Sequence, residues 1–118
     1  MNPDITITID NKIARLSEDS YESLVRQNGN EYVITLTKAG DALLLCPLDE
    51  WDKVIDMLNH LDLTVGDERK VKMQMIGHAH DVVLKDDKVL EIPEYLLEAV
   101  RADGRLACQY VDGCYKCR

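Results

Sequence analysis

Four side chains of the sequence have types and spacings that suit a metal site. Cys114-x-x-Cys117 and His78-x-His80 each bring two ligands of the kind that zinc prefers. A structural zinc site needs four ligands, and residues three apart on a strand point to opposite faces, which opposes chelation by the cysteine pair. No third ligand accompanies the histidines. We therefore interpret the two pairs as plain thiols and surface histidines, and we predict no metal and no cofactor.

Residues arranged for catalysis are equally sparse. Asp86 and Asp87 are adjacent carboxylates, but an acid–base pair needs convergent geometry and separated pKa values rather than adjacency. The sequence has no Gly-rich phosphate loop, no nucleophile elbow and no His-Glu-x-x-His motif. It therefore indicates a binding protein rather than an enzyme, and no catalytic residue is assigned.

Two short polar corners carry the cations best suited to contact nucleic acid. The first corner offers Lys12 and Arg15, and the second offers Lys85 and Lys88 around the acidic pair Asp86-Asp87. Lysine and arginine bind phosphates by charge, and weak contacts repeated around an oligomer add up. The competing interpretation is a pair of solvated turns, and in the second corner the charges cancel locally.

The composition is that of a globular protein, with 46% hydrophobic and 31% charged residues among 118. A net charge of −8 argues against non-specific affinity for nucleic acid or anionic membranes. No apolar run approaches the ~20 residues that span a bilayer, and the first residues lack the basic start of a signal peptide. These features predict a cytoplasmic chain with no membrane partner, located at the nucleoid if it binds DNA. Its cysteines are expected to be reduced: Cys46, Cys108, Cys114 and Cys117.

The strands and the helix of the first half follow from local periodicity and end signals. Isoleucines alternate with threonines before the first corner, which is the period of a half-buried strand, and Ser17 is suited to cap a helix. The predicted order is a strand at 5–9, a strand at 13–16, a helix from 18 that ends at 28–30, and strands at 32–36 and 42–46 around a turn at 38–41.

The same order returns in the second half. The predicted elements are strands at 80–84 and 89–92 around the second corner, a helix opened by Pro93 that ends at 102–104, and strands at 106–111 and 114–117 joined by an Asp-Gly turn. Leu16 then matches Leu90, and Tyr21 matches Tyr95. The sequence thus predicts one α+β domain made of two related halves.

Two further helices are predicted between the halves, with a break at 64–66. The first has an apolar stripe formed by Trp51, Val54, Ile55, Leu58 and Leu61. The second covers about 67–76, and its inward residues are expected to be Val71, Met75 and Ile76.

Two stretches of this pattern resemble the MraZ family. The stretch Cys46-Pro47-Leu48-Asp49-Glu50-Trp51, after a hairpin that ends in three leucines, is similar to the family's first-half exit, where a hairpin runs into a Tyr-Pro-x-x-x-Trp helix start. The run from Gly77 through Leu84 to Ile92-Pro93 resembles the second-half entry. With the two helices between the halves, the resemblance covers nearly the whole chain.

The resemblance implies a fold and a function. It implies a single MraZ-like domain over 1–118, in which pseudo-repeats at about 4–46 and 79–118 are joined by connecting helices at about 48–76. Each half would be a swapped-hairpin AbrB-like unit, and the two would form a small β-barrel core with flanking helices. MraZ proteins assemble into rings and regulate transcription in bacteria, and an Asp-x-x-x-Arg corner in each half faces the DNA.

Both corners of this chain depart from that family motif. When Arg15 is aligned on the motif arginine, Asn11 falls at the aspartate position, and Asp10 fits only if one residue is inserted. In the second half Lys85 replaces the aspartate and Val89 replaces the arginine. The implied fold does not depend on these positions, whereas the implied contact with DNA does.

Two functions therefore remain open. The first is an oligomeric MraZ-like regulator that binds DNA with Lys12 and Arg15, helped by Lys85 and Lys88. The second is an acidic protein of the same fold that has lost DNA binding and acts by binding or inhibiting a protein partner. Such a protein would co-assemble with a DNA-binding relative or serve a phage or mobile element. The net charge and Val89 favour the second function, and Arg15 favours the first.

Overall fold

The computed structural model describes residues 5–37, 40–61, 64, 66–102 and 104–118. The strands are β1 (Ile5–Asp10), β2 (Ile13–Leu16), β3 (Glu31–Leu36), β4 (Leu43–Pro47), β5 (His80–Val83), β6 (Val89–Leu90), β7 (Arg105–Val111) and β8 (Cys114–Cys117). The helices are α1 (Glu18–Asn28), α2 (Leu48–Asn59), α3 (Gly66–Gly77) and α4 (Glu94–Ala99). The predicted α+β class is confirmed. Parts of the turns expected at 38–41, 64–66 and 102–104, and the start of the first pseudo-repeat, lie outside the described residues.

All eight strands belong to one antiparallel sheet that nearly closes into a barrel. The strand order is β5–β3–β4–β8–β7–β1–β2–β6. Among the described residues no ladder joins the two edge strands β5 and β6, so the barrel is open there. The helices flank this sheet, as expected for a small β-barrel core.

The sheet is nearly symmetric in its strand order. When each strand of β1–β4 is exchanged for its counterpart in β5–β8, every strand pairing is matched by another pairing of the sheet, with one exception. The exception is β1–β2, whose counterpart would be a β5–β6 pairing. Both halves contain an antiparallel hairpin at the matching place: Ile34 lies opposite Leu45 in the β3–β4 hairpin, and Cys108 lies opposite Cys117 in the β7–β8 hairpin. The division into two pseudo-repeats stays a prediction, and this regularity is the observation that favours it.

The inside of the barrel forms the main core, and α1 and α4 pack on it. These helices contribute Leu24, Leu96 and Leu97, all buried. Ser17 caps α1 as predicted, because its side chain accepts a hydrogen bond of 3.1 Å from the backbone N–H of Ser20.

Helices α2 and α3 cover the outer face of β3 and β4. Trp51 of α2 packs with Val33, Cys46 and Cys114 in a second apolar cluster on that face. Thr35 of β3 is also buried there, and its hydroxyl donates a 2.6 Å hydrogen bond to the carbonyl of Met75 in α3. Along β1, β2 and the first part of β7, buried residues alternate with partly or fully exposed ones, so none of the described helices covers the outer face of these strands as α2 and α3 cover that of β3 and β4. The uncovered face is where the candidate site lies.

Three predictions about packing and strand length are wrong. Ile76 is 40% exposed, because it follows the buried Met75 directly and neighbours on a helix point about 100° apart. Leu61 lies beyond the end of α2. Strands β5 and β6 end at Val83 and Leu90, earlier than expected. After β6 the backbone N–H of Ile92 donates to the carbonyl of Leu90, which turns the chain out of the sheet.

The expectation of four reduced cysteines is also wrong for two of them. Cys108 and Cys117 are joined by a disulfide, which their directly opposed positions in the β7–β8 hairpin make possible. Cys46 and Cys114 are free thiols, and both are buried.

Candidate nucleic-acid interface

The first corner is a two-residue hairpin turn between β1 and β2. Asp10 lies opposite Ile13, and Asn11 and Lys12 between them have φ values of 51° and 66°. Positive φ at both central residues is the geometry of a type I′ turn, which matches the twist of the flanking strands. Asparagine tolerates this conformation, whereas a lysine in it is strained. The turn therefore presents Lys12 at the tip of the hairpin.

Lys12 is engaged by an acid from the other half of the chain. Its Nζ lies 2.7 Å from Oε1 of Glu94, the first residue of α4. The hydrogen bond and the charge of Glu94 raise the pKa of Lys12, and Lys12 in turn lowers the pKa of Glu94. Glu98 adds to the negative potential at this lysine. The pair is exposed, so solvent and salt weaken it, but it lowers the local positive charge at the tip.

Arg15 lies on the outer face of β2, between Ala14 and Leu16, which point into the barrel. It is exposed, and within the described part of the chain it takes part in no ion pair. Its cross-strand neighbours are Thr8 on β1 and Val89 on β6. Of the cations predicted in the first corner, Arg15 is therefore the one whose charge is not matched by an acid.

A second arginine that sequence reasoning missed extends this row. Arg105, the first residue of β7, lies opposite Thr8, on the side of β1 away from Arg15. It is exposed as well. Thr8 thus separates two outward arginines on strands β2 and β7, at a spacing of about 10 Å for two strand intervals. We call Val89, Arg15, Thr8 and Arg105 the arginine row.

The second corner is a looser loop, because β5 and β6 form no ladder with each other. A turn closes it, with the N–H of Lys88 donating to the carbonyl of Lys85 at 2.9 Å. Asp87 accepts a 3.0 Å hydrogen bond from the N–H of Val89, and Tyr21 of α1 donates a 3.4 Å hydrogen bond to Asp86. Burial and then the charge of Asp86 raise the pKa of Tyr21. The acids of this corner therefore shape the loop and attach it to α1.

The two corners meet along the short β2–β6 ladder. The N–H of Leu16 donates to the carbonyl of Lys88 at 2.9 Å, which brings Lys88 next to the strand that carries Arg15. Lys85 is exposed at the far side of the loop. Arg15 and Lys88 are thus placed on adjoining strand ends, while Lys12 is turned towards α4.

The histidine pair lies against α4. His80 begins β5, and His78 precedes the strand, so the two histidines do not lie together on one strand face. Both rings approach the hydroxyl of Tyr95, at 3.3 Å from Nδ1 of His78 and 2.6 Å from Nε2 of His80. In the part of the chain that is described, no three His, Cys, Asp or Glu side chains are grouped as metal ligands.

Comparison with known proteins finds relatives of one kind. The chain is 33% identical over 84 residues to the Transcriptional regulator MraZ of Shewanella pealeana, covering 71% of this chain and 55% of that protein. The protein of the same name from Thiobacillus denitrificans is 26% identical over 98 residues, covering 83% and 66%. That from Marinomonas sp. is 29% identical over 93 residues, covering 79% and 59%. No protein-family model matches the chain.

The matches cover only part of the length of these relatives. The chain spans a little over half the length of the Shewanella relative that it matches. None of the helices in the described residues is long and apolar enough to cross a membrane.

Proposed function

We propose that this chain, which belongs to the MraZ family as a divergent member, regulates transcription by binding DNA as an oligomer. The relatives are named transcriptional regulators, and the proposed contact surface is the arginine row with the two corners beside it. The protein acts by binding rather than by catalysis, in the cytoplasm and at the nucleoid.

The observation that carries this proposal is the outward, unmatched position of Arg15. The sheet already fixes the backbone of Arg15, so binding a phosphate costs conformational entropy only in the side chain, and the guanidinium can form two parallel hydrogen bonds in return. Thr8 beside it offers a hydroxyl, a group that also contacts DNA phosphates. Lys88 adds a positive charge next to β2, whereas the charge of Lys12 is offset by Glu94.

Oligomerisation would make up for the weak attraction of a single chain to DNA. A net charge of −8 means that a single copy repels DNA at long range, and only a local basic surface can offset this. Several copies that present their arginine rows to one duplex would bind with an avidity far above that of one row. An assembly larger than the 13.4 kDa monomer is therefore part of the proposal, and sedimentation at the monomer mass would contradict it.

The test is a titration of labelled duplex DNA from upstream of the chain's own gene at two salt concentrations. Binding should weaken as salt rises, with a slope that Arg15→Ala reduces by about one for each phosphate that Arg15 neutralises. Arg26→Ala, which removes an exposed cation from α1, is the matched control and should leave the slope unchanged. Absence of binding at low salt would overturn the proposal.

A second function is favoured by a separate observation. Lys12 is paired with Glu94, and Val89 occupies the position of the second motif arginine, so the surface is less basic than the family motif implies. We infer as the alternative that the chain binds or inhibits a protein partner, such as a DNA-binding MraZ relative with which it co-assembles.

Mixed titrations separate the two functions. If the chain inhibits a relative, adding it to a DNA-bound MraZ protein releases the DNA in proportion to the amount added. Release that persists in the Arg15→Ala variant supports inhibition by co-assembly. An unchanged complex, together with direct binding of DNA by this chain, contradicts it.

A further inference from the structure

The two free cysteines face each other between the two hairpins that join the halves of the sheet. In the β4–β8 ladder Leu45 lies opposite Tyr115, and the next step of that register sets Cys46 against Cys114. Both side chains belong to the outer apolar cluster with Trp51. Directly opposed residues of antiparallel strands have Cα atoms about 4.5–5.5 Å apart. This spacing lies within the range of about 4.4–6.8 Å that a disulfide bridges.

A cavity gives small molecules access to one of these thiols. Cys114 lines a cavity of about 660 Å³ that is partly open to solvent and has apolar walls that include Leu44, Val54 and Met57. Cys46 does not line it and is fully buried behind Cys114. A small neutral oxidant that enters the cavity therefore meets Cys114 first.

The two thiols are also unequal electrostatically. A hydrogen bond from Cys46 lowers the pKa of Cys114, against the effects of burial and of the Glu50 and Asp112 carboxylates. The pKa of Cys46 is raised, first by this hydrogen bond and then by burial. The hydrogen bond therefore favours the thiolate, the form that attacks a peroxide, on Cys114, which is the thiol that lines the cavity.

We propose that Cys46 and Cys114 form a reversible disulfide when a hydroperoxide enters this cavity. The Cys114 sulfur attacks the peroxide, the O–O bond breaks, and a sulfenic acid forms as one oxygen leaves as water. The Cys46 sulfur then attacks the Cys114 sulfur, the S–O bond breaks, and a second water leaves with the Cys46 proton. In sum, two thiols and one hydrogen peroxide give one disulfide and two waters, and a small thiol reverses the reaction.

The new bond would differ in place and effect from the one between Cys108 and Cys117. That disulfide lies inside the barrel and links the two strands of one hairpin. The bond between Cys46 and Cys114 would lie on the outer face and tie β4 to β8, one of the four strand pairings that connect the two predicted halves. Oxidation would thus fix the two hairpins to each other beside the cavity.

The experiment uses the full chain with the inner cysteines replaced, as C108A/C117A. The reduced protein is treated with hydrogen peroxide, the remaining thiols are alkylated, and the intact mass and non-reduced peptides are measured. We expect a mass lower by two hydrogen atoms, one peptide that links Cys46 to Cys114, and full recovery with dithiothreitol. The emission of Trp51, the chain's one tryptophan, should fall on oxidation and return on reduction, because Trp51 belongs to the same buried cluster as both cysteines.

Two controls keep the result interpretable. C46A/C108A/C117A should accumulate oxidised forms of Cys114 that gain oxygen, with no cross-link and no recoverable loss of Trp51 emission. The same oxidation in urea tests whether native geometry pairs the thiols, and the link should then form more slowly and between chains as well. Two alkylatable thiols after native oxidation, or equal linking in urea, would overturn the proposal.

Discussion

Arg15 on β2 lies directly opposite Val89 on β6, so the two positions that correspond to the family's motif arginines form one cross-strand pair. Strand β2 of the first half pairs with its counterpart β6 of the second half. A motif arginine in each half would therefore place two positive charges side by side on the surface. This chain keeps half of that charge. In the proposed interface this pair therefore sets the local positive charge.

Restoring the second arginine should strengthen DNA binding. We expect Val89→Arg to raise the affinity about three- to tenfold at low salt and to steepen the salt dependence by about one unit per additional phosphate neutralised. Two arginines directly opposite each other repel, so the free energy of unfolding should fall by about 0.2–1 kcal/mol. Val89→Met, which adds length without charge, is the control. An affinity that responds equally to both variants would mean that the row does not face DNA.

Arg105 should behave like Arg15, although it belongs to no motif. It lies beyond Thr8 on the same outward face, and a duplex laid across the arginine row would meet both guanidinium groups. We expect Arg105→Ala to weaken DNA binding and flatten the salt slope by an amount similar to Arg15→Ala. Arg26→Ala again serves as the control. Weakening confined to Arg15→Ala would restrict the DNA-binding surface to the corner itself.

The turn at the first corner should be improved by glycine. Lys12 has a φ of 66°, a conformation that costs an ordinary residue about 1–2 kcal/mol. We expect Lys12→Gly to raise the free energy of unfolding by about 1 kcal/mol, since Asn-Gly is the favoured type I′ pair and the exposed bond to Glu94 is worth little. Urea unfolding measures this. Asn11→Gly, at a position where asparagine is already tolerated, should change stability less.

How far the sequence predicts this structure depends on whether a signal is local. The alternation of Ile5, Ile7 and Ile9, the cap at Ser17 and the Asp112-Gly113 turn are local, and each appears where predicted. These signals act within a few residues, so residue propensities and hydrophobic periodicity are enough to predict them.

The features that sequence reasoning missed depend on pairing between distant strands or on register. Arg105 becomes a neighbour of Thr8 only because β7 pairs with β1, and no pattern within β7 specifies that register. The Cys108–Cys117 bond follows from hairpin register in the same way. A search for cysteines at opposed positions of the predicted 106–111 and 114–117 hairpin would have found it.

The ion pair at the first corner should be visible in the titration of Glu94. Lys12 lowers the pKa of this carboxyl, so the pair's contribution to stability is present above the ordinary pKa of glutamate and is lost as the pH falls through the lowered value. We expect Lys12→Gln to return the Glu94 pKa towards its ordinary value. Carbon-13 NMR of the side-chain carboxyls measures this directly. A carboxyl that titrates unchanged would show that Lys12 is free to face a ligand.

The tyrosine at the start of β3 should be the most costly hydroxyl to remove. Tyr32 is buried, and its hydroxyl lies 3.0 Å from the carbonyls of both Leu24 and Gly29, near the C-terminal end of α1. We expect Tyr32→Phe to lower the free energy of unfolding by about 1–3 kcal/mol, because buried carbonyls lose their donor while the ring still fills its space. Tyr21→Phe, which removes an exposed hydroxyl 3.4 Å from Asp86, is the matched control and should cost less. Equal losses in urea unfolding would mean that the end of α1 is satisfied by water, and that Tyr32 stabilises the barrel through its ring alone.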